Sequence, residues 1–245
     1  MHLSTDGLII RENIAGENDK YIVALTRKYG IINAYARGTR RLNNRNAAGS
    51  ALLCYSELTF FKSKDTYKLD EASPKNVFFE LRSDIVRLSL AQYFCELALC
   101  LAPEECEAEE FLRLMLNALH FLCSGGRPAD CIKAVVELRM LCLAGYMPDI
   151  TCCAVCGGDK DDTMYLDTKG GQLFCGNCKP SSEGVIPVNR TVLAAMRHIC
   201  YCEFDKLFSF TLPENTAKAL SRTTERFLQH QTERGYKTLD FYNSL

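Results

Sequence analysis

Apolar positions along the first third of the chain recur at a spacing of two. In LSTDGLIIRENI the apolar positions Leu8 and Ile10 are followed by GEND at 16–19, a cluster of turn residues. KYIVALT alternates through Tyr21, Val23 and Leu25, and Tyr29-Gly30 marks a turn before IINAYARG. A Gly/Asn-rich loop leads to LLCYSELTFFKS, and a turn at Lys64-Asp65 leads to TYKLDEAS. Short strands of this kind, with helical content kept to the edges, predict a small, strongly curved barrel. Another five-stranded sheet would satisfy the same periodicity.

From about residue 83 the spacing changes to three and four. SDIVRLSLAQYFCELALCLA carries Val86, Leu90, Tyr93, Phe94, Leu97 and Leu101 on one helical face. EAEEFLRLMLNALHFLC carries Phe111, Met115, Leu119 and Leu122. RPADCIKAVVELRMLCLAGY is punctuated as a helix by Pro128 at its start and Gly145 near its end. Two more helices are predicted from Val192, Ala195, Met196 and Ile199, and from Ala217, Leu220, Thr224, Phe227 and Leu228. The expected layout is α+β: a β domain over residues 1–80, then an all-helical domain over 81–245 with an insertion at about 150–182.

That insertion carries the most specific signal in the chain. Cys153-x2-Cys156 and Cys175-x2-Cys178 are separated by 18 residues, inside the spacing of a four-thiolate zinc site. Two residues between ligands let both sulfurs of a knuckle reach one tetrahedral ion at about 2.3 Å. Gly157, Gly158 and Gly176 permit the sharp turns that aim N–H groups at the thiolates. TMYLDT and QLFC read as a hairpin turning at Lys169-Gly170-Gly171, so the piece is a zinc ribbon whose folding free energy comes from one structural ion. Cys152 is a spare ligand candidate, but Cys153 has the required spacing. A redox CxxC would need a βαβ context that is absent, and a catalytic zinc would need an open position.

The other ten of the 14 cysteines lie singly or unpatterned in apolar segments, where free cysteine acts as a small hydrophobe; this argues for a reducing, cytoplasmic setting. The opening MHLSTDGLIIREN lacks a basic segment followed by an apolar core, which argues against a secretory leader. No run approaches the ~18–20 apolar residues of a membrane span. Neither a phosphate-binding nor a dinucleotide-binding glycine motif occurs, nor a Ser/His/Asp constellation, so no enzyme activity is expected.

The net charge is −1, so any polyanion binding must be local. Between Lys20 and Glu57 there is no Asp or Glu, although the chain's average of 30 acids in 245 residues would place about four there. The same window holds Arg27, Lys28, Arg37, Arg40, Arg41 and Arg45, with Tyr21, Tyr29, Tyr35 and Tyr55 interleaved and Phe60, Phe61 and Tyr67 beyond. A basic groove with aromatic platforms holds single-stranded nucleic acid without reading its sequence. The plain alternative is a solvated loop over core aromatics.

Together YARGTRR, the AGYMPDITCCAVCG and GGQLFCGNC knuckles and the ending RFLQHQTERGYKTLDFY resemble the bacterial RecO family of DNA repair proteins over essentially the full chain. The resemblance implies an OB-fold, then a helical domain with a zinc-binding insert. It implies a recombination mediator that binds single- and double-stranded DNA and anneals complementary strands. It also implies action with RecR, in many species with RecF, to place RecA on DNA coated by single-strand-binding protein. The family commonly shows KGARRPKS where this chain has RGTRRLNN, so the resemblance carries over only Arg37, Arg40 and Arg41. Some members lack the cysteines, which favours a bracing role for the metal. The rival is a zinc-stabilised protein-interaction adaptor without direct DNA binding.

Overall fold

The computed structural model describes every residue except Leu42 and Asp65, so half of the expected Lys64-Asp65 turn lies outside the described residues. The chain packs as two compact units, Met1–Ser124 with Lys237–Leu245, and Gly125–Tyr236.

In the first unit, β1 (His2–Ala15), β2 (Asp19–Thr26), β3 (Gly30–Ala36), β4 (Cys54–Ser63) and β5 (Thr66–Val77) close a barrel in the order β1-β2-β3-β5-β4. This is an OB-type barrel, and closure removes every sheet edge. β1 is long enough to serve two neighbours: its first half pairs with β4 and its second with β2. A register shift between Ile9 and Arg11 bends it at the handover, and Leu8, Ile9 and Ile10 are all buried there. The alternation read from the sequence breaks at this bulge. Ile9, Ile22, Ile32, Leu58, Phe60 and Leu69 fill the interior, with alanines at 24, 34, 36 and 72 where the walls converge. Gly30 has φ +61 and its missing Cβ would lie 2.0 Å from the Pro103 carbonyl oxygen, so no other residue fits this turn.

The segment from 37 to 53 is a chain of tight turns rather than an open loop. Thr39, Asn46 and Ser50 are buried in it. The Asn46 amide donates to the Asp70 carbonyl (2.9 Å) and accepts from the Ala72 N–H (3.2 Å), which pins the segment to β5. Two helices follow the barrel within this unit. α1 (Ile85–Leu101) is capped by Asp84, whose carboxylate accepts from the Val86 and Arg87 N–H groups. α2 spans Glu109–Ser124.

The second unit contains α3 (Ala129–Leu143), a small sheet of β6 (Thr163–Asp167), β7 (Gln172–Phe174) and β8 (Val185–Asn189), then α4 (Arg190–Tyr201) and α5 (Glu214–Thr232). The final helix α6 (Lys237–Asn243) returns to the first unit against α1, where Glu96 accepts from the Thr238 backbone and hydroxyl. The expected hairpin of the insert is present as β6 and β7. The structure adds β8 on the far edge of β6, so the order is β7-β6-β8. β8 escapes a sequence reading because Pro187 interrupts its apolar run. Glu233 adopts a left-handed conformation (φ 51) and separates α5 from α6.

Candidate nucleic-acid interface and metal centre

Strand register brings together side chains that the sequence leaves scattered. His2 on β1 stands opposite Phe61 on β4, Phe61 opposite Lys68 on β5, Lys68 opposite Tyr35 on β3, and Tyr35 opposite Tyr21 on β2. Register partners share a face. All five point outward, so His2, Phe61, Lys68, Tyr35 and Tyr21 form one belt across the barrel wall. Tyr21 is 56% exposed and Phe61 39%. The Tyr21 and Tyr35 rings meet edge to face at 5.2 Å, and His2 lies 5.2 Å from Phe61. A 560 Å3 cleft opens on the belt, lined by Tyr35, Phe61 and Lys68 with Arg37, Asp19 and Asp70. Lys68 and His2 are the members sequence reasoning missed, because only the β3–β5 closure places Lys68 beside Tyr35 and only the β1–β4 pairing places His2 beside Phe61.

The basic residues of the acid-free window divide into two sets. Arg37, Arg40, Arg41 and Arg45 lie at or beyond the end of β3, in the turn segment beside the belt, and all are exposed. Arg37, Arg41 and Arg45 make no ion pair among the described residues. Arg40 is held by its Nη1, which donates to the carbonyls of Gly16 and Glu17 at 2.8 Å each. Asp19 sits under this group. Its carboxylate accepts from the Tyr35 hydroxyl and from the Gly38 N–H (2.6 Å), and these bonds, with Arg37 and Arg41 nearby, hold it below the usual carboxylate value.

Arg27 and Lys28 lie at the other end of β2, which at about 3.3 Å per residue is roughly 20 Å away. Arg27 is engaged there: it pairs with Asp6 at 3.5 Å and with Glu109 on α2. Tyr55, grouped by sequence with the platform aromatics, also belongs to this end, donating to Asp6 at 3.2 Å. Phe60 is interior, and Tyr29 and Tyr67 pack against the core.

In the second unit the Sγ atoms of Cys153, Cys156, Cys175 and Cys178 all lie within 4.8 Å of one another. Cys152 stands outside this group and takes a contact from the Thr151 hydroxyl instead. Each knuckle turns tightly, with the Gly157 N–H on the Cys153 carbonyl (2.9 Å) and the Cys178 N–H on that of Cys175 (3.2 Å). The first knuckle is tied to the hairpin by the Ala154 N–H on the Leu173 carbonyl (2.8 Å). The Cys156 and Cys175 sulfurs are 3.7 Å apart, far beyond a disulfide bond. That separation matches the edge of about 3.8 Å expected for a tetrahedron of sulfurs around an ion at about 2.3 Å. N–H groups of Cys156, Cys175 and Val155 draw the Cys153 thiol down to about 6, whereas Cys175 and burial push Cys178 up to about 12. Four thiols this close ionise together only around a cation. The donor set therefore fits one metal ion.

A five-stranded OB-type barrel with a basic aromatic wall, followed by helices carrying a four-cysteine cluster fit for a metal ion, defines the class of protein. The family models for Recombination protein O N terminal and Recombination protein O C terminal match residues 1–78 and 82–240. The DNA repair protein RecO of Acetivibrio thermocellus is 31% identical over 244 residues, covering 100% of this chain and 97% of its own. That of Symbiobacterium thermophilum is 28% identical, covering 99% and 97%. The chain belongs to the RecO family of DNA repair proteins.

Proposed function

We propose that the protein binds single- and double-stranded DNA on the outward belt of the barrel and anneals complementary strands. The observation carrying this is the alignment of Tyr21, Tyr35 and Phe61 with Lys68 in one cross-strand row, flanked by the four arginines after β3. Bases stack on the rings, worth about 1–3 kcal/mol each, while Arg37, Arg40, Arg41, Arg45 and Lys68 neutralise phosphates and release counterions. Phosphate and stacking contacts carry little sequence information, so binding is sequence-tolerant. Annealing requires only that the mutual repulsion of two strands be reduced, and clustered guanidinium groups do this without a bond being made or broken.

The ion in the second unit is zinc, held by Cys153, Cys156, Cys175 and Cys178, and it braces the insert rather than reacting. Family membership supports a cytoplasmic setting with RecR and single-strand-binding protein as partners, RecF joining them in the loading of RecA. Arg27 and Lys28 lie outside the proposed path, since Arg27 would have to leave Asp6 and Glu109 to join it.

Fluorescence anisotropy with a labelled oligothymidine across a salt series tests the reading. Replacing Arg37, Arg41 and Lys68 by alanine is expected to weaken binding and to flatten the salt slope by roughly two to three. A protein that leaves the oligonucleotide's anisotropy unchanged at modest salt would instead be the adaptor.

A further inference from the structure

A second group of thiols stands apart from the metal centre. Cys142 in the last turn of α3 and Cys200 in the last turn of α4 bring their Sγ atoms to 3.7 Å. Among the described residues they join no third Cys, His, Asp or Glu close enough to hold an ion. Arg139, one turn before Cys142, donates through Nη1 to the carbonyls of Ile199 (3.2 Å) and Cys200 (3.1 Å). Its Nε–H is buried and has no acceptor among the described residues. The Arg139 charge also acts on both thiols, and an orphaned buried donor calls for an explanation.

The two thiols are not equivalent. Cys142 is half-buried and Cys200 buried. Contact with Cys200 outweighs burial and, with the nearby Arg139 charge, holds the Cys142 thiol below its ordinary value, while contact with Cys142 and burial push Cys200 up. One sulfur therefore has some access to solvent, and its neighbour has less.

We infer that Cys142 and Cys200 form a peroxide-sensitive dithiol, with Cys142 the attacking sulfur and Cys200 the resolving one. The Cys142 thiolate attacks one oxygen of hydrogen peroxide; the S–O bond forms, the O–O bond breaks, and the departing hydroxide takes up a proton as water. The sulfur is oxidised by two electrons and the peroxide reduced. The buried Arg139 Nε–H is a donor for the new sulfenate oxygen. Cys200 then attacks the Cys142 sulfur; the S–S bond forms, the S–O bond breaks, and oxygen leaves as water with the thiol proton. Two thiols and one peroxide thus become one disulfide and two waters.

The sulfurs must close from 3.7 Å to about 2.05 Å. Both sit in final helical turns, beside the caps Ala144 and Cys202, where helices fray most easily. The bond would join positions 58 apart and enclose the whole metal-binding insert, stapling together the two helices that bracket it.

The test treats metal-loaded, full-length protein with low hydrogen peroxide, quenches with iodoacetamide and maps peptides by mass spectrometry while following metal release. The expected result is a Cys142–Cys200 linked peptide, reversed by dithiothreitol, with the metal retained. Under dimedone, Cys200→Ala should trap a tagged Cys142, whereas Cys142→Ala should leave Cys200 untagged. Unchanged alkylation of both cysteines, or loss of the metal with oxidation of Cys153, Cys156, Cys175 and Cys178 first, would overturn the inference. The wild-type map decides even if a variant folds poorly.

Discussion

Asp19 and Tyr35 show how one pair of side chains sets the shape of the proposed interface. The carboxylate takes the Tyr35 hydroxyl and the Gly38 N–H, and so fixes both a belt ring and the first turn of the arginine segment. Because its folded value lies below the ordinary 3.8, the unfolded chain binds more protons near that pH. The stabilisation is complete above about pH 4 and is lost as pH falls through the lowered folded value. Urea unfolding of wild type and Asp19→Asn should therefore differ by a constant amount at pH 5 to 7 and converge below pH 4. Arg27 is expected to behave differently from the loop arginines. Arg27→Ala should cost about 0.2–1 kcal/mol of stability for each exposed pair lost and leave the DNA salt slope unchanged. The acid-free window was legible as a run of letters. That its members stand at opposite ends of β2, and that Glu109 takes up Arg27, depends on contacts between residues 82 positions apart.

At the scale of elements, α3 and α5 are joined by a buried charge network. Lys133, 1% exposed, lies 2.8 Å from both Glu137 and Glu225, and Glu137 accepts from the Thr224 hydroxyl at 2.6 Å. Burial works to lower the Lys133 value, but the two carboxylates outweigh it and raise it. Lys133→Met should destabilise the second unit by roughly 3–5 kcal/mol in denaturant melts, because Glu137 would remain buried without its counter-charge. The helix faces were readable from spacing: Phe111, Met115, Leu119 and Leu122 of α2 are all buried. The network was not, since a charged pair inside a helix looks like a surface pair until a second helix covers it. Nor was β8, which gains its place only by pairing with β6. The insert has a different dependence. Its three short strands bury little on their own, so stripping the metal with a strong chelator should melt β6, β7 and β8. Hydrogen exchange should then rise across residues 150–189 while the barrel strands keep their protection.

Over the whole molecule, charge is almost balanced, and the proposed binding surface exists only because folding gathers positive groups on one stretch of barrel wall. The four cysteines were fully legible, because metal-ligand spacing is local. The belt was legible only as a tally of aromatics, because barrel closure decides which rings face outward and which, like Phe60, fill the core. The most direct measurement is photo-crosslinking of a 5-iodouridine-substituted DNA single strand, with attachment sites mapped by mass spectrometry. Crosslinks at Tyr21, Tyr35 and Phe61 are the expected result. Crosslinks confined to the helices, or to the Arg27 end of the barrel, would contradict the proposed DNA path.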